Sequence, residues 1–213
     1  MLKKVLLVGA VALGLSAAAF ANGTADENVA AVPQFNPGIY AGVQLGYALT
    51  GWKTMWNAGD MVNVNKANSF AGRVYAGYDF HKNFALEAGY FLAFSKAKAR
   101  NLADSADAAN ILTQAADLLL KVKIPLADSW GIYTKVGLGY LTSKVRDVTA
   151  GYALKSAKNF NVAYGAGVNY DITSNWTTDL SWMHYTGNTN VNSKNLQPSL
   201  NFFALGISYK FNF

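Results

Sequence analysis

The chain has 213 residues, with 18 Lys and Arg against 12 Asp and Glu, for a formal net charge of +6. It has no cysteine, which excludes a disulfide framework, a thiol nucleophile and any thiolate metal site. It is 52% hydrophobic and only 14% charged, with 12 Phe, 12 Tyr and 5 Trp, a greasy composition for a secreted soluble protein.

The first element is an export signal. Residues 1–21 read MLKKVLLVGAVALGLSAAAFA: Lys3 and Lys4, an apolar run from Val5 to Phe20, then Ala19-Phe20-Ala21. A short positive segment, an apolar stretch and an A-x-A site make a cleavable secretory signal peptide. A retained anchoring helix is the alternative; the small residues before Ala21 and the polar NGTADEN after it argue for removal. Residues 22–37 are then a short N-terminal segment, and residues 38–213 form one domain. No later run of about 18 apolar residues is available for a transmembrane helix.

From Gly38 onward the pattern is alternation, the period of a strand with two unlike faces. Gly38 to Leu49 sets Ile39, Ala41, Val43, Leu45 and Tyr47 against Tyr40, Gly42, Gln44, Gly46 and Ala48. Phe70 to Phe80 sets Val74 and Tyr78 against Arg73 and Asp79, and Phe84 to Phe94 sets Leu86 and Tyr90 against Glu87 and Phe91. Trp130 to Tyr140, Phe160 to Ile172, Trp176 to His184 and Phe203 to Phe213 continue in the same way. An odd number of strands cannot close an antiparallel ring with both ends on one side. The missing strand is therefore placed at Ala116 to Ile124, where Leu118, Leu120 and Val122 alternate with Asp117, Leu119, Lys121 and Lys123. The stretch just before it, Leu102 to Thr113, also reads as an amphipathic helix.

Across all eight segments the charges share one face. Arg73, Asp79, Glu87, Asp117, Lys121, Lys123, Lys135, Asp171, Asp179 and Lys210 lie on the small, Gly-rich side, and none lies on the other. A bilayer enforces that exclusion, because a Lys or Arg on a lipid face near the midplane costs roughly 2–4 kcal/mol. A soluble barrel or sandwich would solvate the charged face and enrich it, whereas this face is mostly Gly, Ala, Ser and Tyr. Aromatic residues end the apolar face on both sides, Tyr78, Phe84, Trp130 and Trp176 by short connections, Phe70, Phe94, Tyr140 and Phe160 by long ones. Short turns (His81–Asn83, Pro125–Ser129, Thr173–Asn175) alternate with long connections, as in outer-membrane barrels with periplasmic turns and extracellular loops. The expected fold is all-β: an eight-stranded antiparallel up-and-down transmembrane β-barrel, both termini periplasmic, in a bacterial outer membrane.

The segments AGRVYAGYDFHKNFALEAGYF and VAYGAGVNYDITSNWTTDLSW resemble strand-turn-strand hairpins of the OmpA-like transmembrane domain family of outer-membrane barrels. The terminal FFALGISYKFNF resembles that family's β-signal, which places Leu205, Ile207, Tyr209, Phe211 and Phe213 before the barrel-assembly machinery. The resemblance spans roughly Asn36 to Phe213 and is specific for architecture, not activity. No peptidoglycan-binding residues are carried over, since no such segment is expected after Phe213.

Catalytic and cofactor readings find little support. His81 falls in a turn and His184 at a strand end, neither with a nominated partner for acid–base work, and no metal cluster or phosphate loop is apparent. The inward charges Arg73, Glu87, Asp117, Lys121, Lys123, Lys135, Asp179 and Lys210 read as a paired lumen network, with Lys121, Lys123 and Lys135 near Glu87 and Asp179 facing Lys210. The network is either a packed polar core or a narrow, gated ion path, since eight strands leave just enough room for side chains. The long connections are basic, with Lys96, Lys98, Arg100 and Arg146 suited to phosphate and Trp52 and Trp56 to an apolar partner. The functional expectation is a structural, surface-exposed barrel contacting lipopolysaccharide or a host ligand, with a small pore as the alternative. No cofactor or nucleic acid is implied. N-terminal sequencing of the purified protein is expected to read Asn22-Gly23-Thr24; recovery of Met1 would refute the signal peptide.

Overall fold

A computed structural model describes residues 36–51, 55–57, 60–64, 67–100, 107–127, 129–146, 157–187 and 199–211. The expected signal peptide, most of the 22–37 segment, Trp52 and Phe213 lie outside these residues. Among the described residues there are ten strands: β1 (Gly38–Gly51), β2 (Met55–Asn57), β3 (Asp60–Val64), β4 (Ala67–His81), β5 (Phe84–Arg100), β6 (Asp107–Ala127), β7 (Trp130–Arg146), β8 (Ala157–Asp171), β9 (Trp176–Tyr185) and β10 (Ser199–Lys210). Eight of them, β1 and β4 to β10, follow one another as antiparallel neighbours. Pairing of β5 with β6 and of β1 with β10 makes the sheet a ring without an edge. Such closure is what a bilayer demands, because lipid offers no partner to an unpaired peptide group.

The alternation in the sequence becomes two walls. Outward residues such as Leu45 (70% exposed), Phe70 (83%), Leu118 and Leu205 form an apolar exterior. Inward neighbours such as Gln44, Arg73, Glu87 and Leu119 are buried. Interlocked aromatic pairs finish the exterior at each end: Tyr47 on Phe70 and Tyr140 on Phe160 towards the long connections, Trp130 on Tyr170 and Trp176 on Tyr209 towards the short turns. This is the girdle pattern of a barrel crossing two membrane interfaces.

The short turns are tied by side chains. Asn83 donates its amide to the Lys123 carbonyl at 2.9 Å, and Asn175 donates to the Lys210 carbonyl at 2.7 Å. The Thr173 hydroxyl accepts from the backbone of Asn175 and Trp176, closing the β8–β9 turn in the manner expected of a Ser/Thr turn.

The long-connection end departs from the sequence reading. Residues 95–100 and 107–115, beyond the strands read from the sequence, continue β5 and β6, and their ladder runs from Ser95 opposite Ile111 to Ala99 opposite Asp107. The helical alternative for Leu102 to Thr113 is overturned over residues 107–113, which lie in β6. A helix of a dozen residues is marginal alone, while β5 stands ready with a row of ladder partners. Strand β7 likewise continues to Arg146, and β3 pairs with the top of β5 through Asn63 opposite Arg100.

Leu118, exposed on the outer wall midway along β6, tests the two faces. Leu118→Arg is expected to cost about 2–4 kcal/mol in denaturant unfolding from lipid vesicles, and unchanged stability would place the lipid face wrongly.

Candidate functional site

The chemistry-bearing side chains meet inside the barrel. Arg73 of β4 is the hub, 1% exposed. Its Nη1 donates to Glu87 Oε1 at 2.8 Å and to Gln44 Oε1 at 3.3 Å. Its Nη2 and Nε donate to the two oxygens of Asp117 at 2.5 and 3.1 Å, the bidentate fork that a guanidinium makes with a carboxylate. Lys135 Nζ reaches the same Glu87 oxygen at 2.7 Å, while the Tyr40 hydroxyl donates to Oε2 at 3.1 Å. The Tyr185 hydroxyl donates to Asp117 at 2.7 Å. Asp179 receives Gln44 Nε2 at 2.8 Å, the Tyr133 hydroxyl at 2.7 Å and the Tyr75 hydroxyl at 3.4 Å. One connected network thus joins side chains from β1, β4, β5, β6, β7 and β9.

Small residues on the same face make this possible. A Cβ at Gly89 would overlap the Arg73 guanidinium, and one at Gly167 would meet the Tyr133 ring. Glycine on this face therefore buys room for large polar side chains in a ring of only eight strands.

Towards the long connections the interior turns apolar. Phe91, Leu119, Leu141, Met183, Leu200 and Phe202 are fully buried, and Phe91 packs edge-on against Phe202 with centroids 5.0 Å apart. Towards the short turns lies a cavity of about 520 Å³, lined by Tyr40, Asp79, Lys121, Lys123, Ser208 and Lys210 among others. Asp79 there holds two ammonium groups, Lys123 at 2.7 Å and Lys210 at 3.3 Å. Lys121 Nζ stands 4.4 Å from the Tyr133 ring centroid and 5.3 Å from that of Tyr40, a cation–π arrangement.

The sequence located these charges on the inward face but mispaired several. Of the three lysines expected near Glu87, only Lys135 binds it; Lys123 turns to Asp79 and Lys121 to the tyrosine rings. Asp179 does not face Lys210. The register sets Asp179 opposite Gly206 and Lys210 opposite Tyr40, four residues further towards the turns, or roughly 13 Å along the strand. Periodicity assigns a face but not a height, and tilted strands set the heights. Tyr40 and Gln44 join the network from the inward row of the first strand, which was their available signal, whereas Tyr185 lies just past the expected end of its strand, where the sequence marks no face.

The described residues of the terminal strand nominated as a β-signal lie outside the lumen. Leu205, Ile207 and Phe211 are exposed on the outer wall of the last strand and its end, and Tyr209 packs on Trp176 and Phe211. Lys96, Lys98 and Arg100 belong to β5, Arg146 to β7 and Trp56 to β2, so these are strand rather than loop positions. His81 Nδ1 accepts from the backbone N–H of Asn83 in its turn, and His184 Nδ1 lies 2.9 Å from Asn201 Oδ1 on the outer face.

A closed antiparallel ring with an apolar outer wall and its charges inside is a transmembrane β-barrel. The chain belongs to the outer membrane protein beta-barrel domain family, whose model matches residues 7–211, and is thus a bacterial outer-membrane protein. A Coxiella burnetii protein described as uncharacterized is 28% identical over 251 aligned residues, covering 99% of this chain and 100% of its own. Among solved structures, the outer membrane protein OprG from Pseudomonas aeruginosa superposes with a TM-score of 0.59 at 14% identity, covering 83% of this chain and 97% of that one. Neisserial surface protein A gives 0.57 at 15% identity, covering 83% of this chain and all of that one. These structural likenesses speak for the fold.

Breaking the buried pair tests the network. Glu87→Gln strands Lys135 and is expected to destabilise the barrel by about 3–5 kcal/mol. Adding Lys135→Met should recover part of that loss, with a coupling of about 0.5–3 kcal/mol in a double-mutant cycle read by denaturant unfolding. Strict additivity would show the two side chains to be energetically independent.

Proposed function

We propose that this protein is a structural, surface-exposed component of the outer membrane, a rigid closed barrel that displays its long connections to the cell exterior. Both termini and the short turns face the periplasm in this reading. Its partners are outer-membrane lipid and lipopolysaccharide, the barrel-assembly machinery during biogenesis, and a host or surface ligand at the connections. The reading treats the interior as a support with no catalytic or cofactor role.

One observation carries it: the lumen is filled. Arg73, Glu87 and Lys135 lock the middle, and the Phe91–Phe202 cluster closes the side nearer the long connections, all at or near zero exposure. An ion crossing this interior would have to displace a hydrogen-bonded charge network and then enter a dry apolar layer, where an unpaired charge costs far more than in water. The alternative, a small or gated porin-like channel, draws support from the cavity of about 520 Å³ at the short-turn end, which brings solvent up to Lys121.

Planar-bilayer recording separates the two. Wild-type protein, shown folded by heat-modifiable gel mobility, is expected to give no conductance steps, and Glu87→Ala to remain silent because the apolar layer is intact. Steady conductance in the wild type would overturn the scaffold reading, and silence that gives way to conductance in Glu87→Ala would make the network a gate.

A further inference from the structure

Three lysines line the cavity at the short-turn end, and one carboxylate serves two of them. Lys123 and Lys210 take the two oxygens of Asp79, at 2.7 and 3.3 Å. Lys121 is the third, and Lys123 lies within coulombic range of both of the others. Lys121 is directly opposite Lys135 of β7 in the ladder. Like charges facing each other across a strand pair repel. Lys135 is relieved by Glu87 at 2.7 Å, but among the described residues no carboxylate comes within ion-pair distance of Lys121. Glu87 attracts Lys121 from further off, with its own oxygens already taken by Arg73, Lys135 and Tyr40. The rings of Tyr133 and Tyr40 meet the ammonium as cation–π partners, which leaves its three N–H donors available to an acceptor.

The cavity that meets these groups is a dead end. The buried layer of Arg73, Glu87 and Lys135 stands between it and the long connections. Its volume of about 520 Å³ falls in the usual range of small-ligand sites. Ser129, Asn169 and Ser208 add hydroxyls and an amide to its lining. Gly131 is opposite Asn169, and a Cβ there would come within 2.7 Å of the Asn169 side-chain oxygen, so the glycine makes room for the amide. Asp171 is the second carboxylate of the lining, exposed at the end of β8, and it accepts from the Thr177 hydroxyl at 2.7 Å. Three lysines against two aspartates leave the lining with a net charge of +1.

We propose that this cavity binds a small phosphomonoester, its phosphate held by Lys121 with Lys123 and Lys210 beside it. The surplus charge of the lining is positive, and its cations are lysines, which bind phosphate as point charges with rotatable donors. A dianion against Lys121 provides the counter-charge that Lys135 has in Glu87 and Lys121 lacks. Bare phosphate would leave most of the cavity empty, so there is room for a short carbon chain or one sugar ring beside the hydroxyls and Asn169. The inference goes beyond the scaffold reading and holds whichever compartment the short turns face. With those turns in the periplasm, the ligand is a periplasmic solute.

Titration of glycerol phosphate into the barrel folded in dodecyl maltoside, a detergent without phosphate, reads the binding by phosphorus NMR. Wild-type protein is expected to bind saturably. Lys121→Met should weaken binding about tenfold or more, the loss expected of one charge-assisted hydrogen bond. It should keep its heat-modifiable mobility, because it removes a cation that faces Lys135. Asn169→Phe fills the cavity from β8 without touching a lysine and should block binding, which keeps the test open if Lys121→Met fails to fold. Lys82→Met, at an exposed turn lysine outside the cavity lining, should bind like wild type. Absence of saturable binding by wild type overturns the proposal, as does wild-type affinity in folded Lys121→Met or Asn169→Phe. Equal losses in Lys121→Met and Lys82→Met would reduce the effect to overall charge and overturn it too. Competitors fix the ligand class: inorganic phosphate, succinate and glycerophosphocholine should each displace glycerol phosphate only weakly. Equal competition by the first would assign the site to the free ion, by the second to dicarboxylates, and by the third to a lipid headgroup, each in place of a phosphomonoester.

Discussion

A bilayer interior supplies no hydrogen bonds, so a chain that crosses it as strands must pair every strand on both sides. In this protein that requirement is met by two seams, β5 against β6 and β1 against β10, and the rest of the architecture follows from them. Once the ring is closed, each strand has one face in lipid and one in a narrow interior. The outer face can then be loosely specified, since lipid conforms to whatever apolar surface it meets. The inner face cannot, because side chains from across the ring must fill a fixed volume and satisfy one another.

That constraint explains why the polar network is so interconnected. A single buried ion pair in a low-dielectric interior is at best weakly stabilising, since desolvation offsets most of the attraction. Here the desolvation is shared: Arg73 serves two carboxylates and an amide, Glu87 takes two cations and a phenol, and Asp179 is held by an amide and phenols without a direct cation. Tyrosine is well suited to this arrangement. Its ring covers the glycines of the facing strand while its hydroxyl reaches a carboxylate, as Tyr133 does between Gly167 and Asp179.

The sequence reveals the wall far better than its contents. Period-two alternation and the confinement of charge to one face identify the eight strands and the lipid side, because the bilayer penalises every exception at every position. The pairing of Glu87 with Arg73 and the separation of Asp179 from Lys210 depend on relative strand heights, which no local pattern records. The heights above the membrane were equally hidden. Residues 107–113 alternate weakly and contain good helix formers, so only the neighbouring ladder of β5 makes them strand. The apolar layer around Phe91 and Phe202 was legible only as scattered inward hydrophobic residues, which look like irregularities in an otherwise polar row.

The seam between β1 and β10 sets an order of events. Tyr40 is opposite Lys210, so the first strand to enter the sheet must wait for the last before the ring can close. Until that moment a partly assembled chain carries two bare strand edges and a lipid-seeking surface together, the combination most prone to pairing with the wrong neighbour. Joining residues 170 positions apart also makes closure the step with the greatest loop-entropy cost, although that cost grows only slowly with length. A chain built this way has no stable half-product to rest in: it is committed to being carried in an unfolded state and completed at its destination.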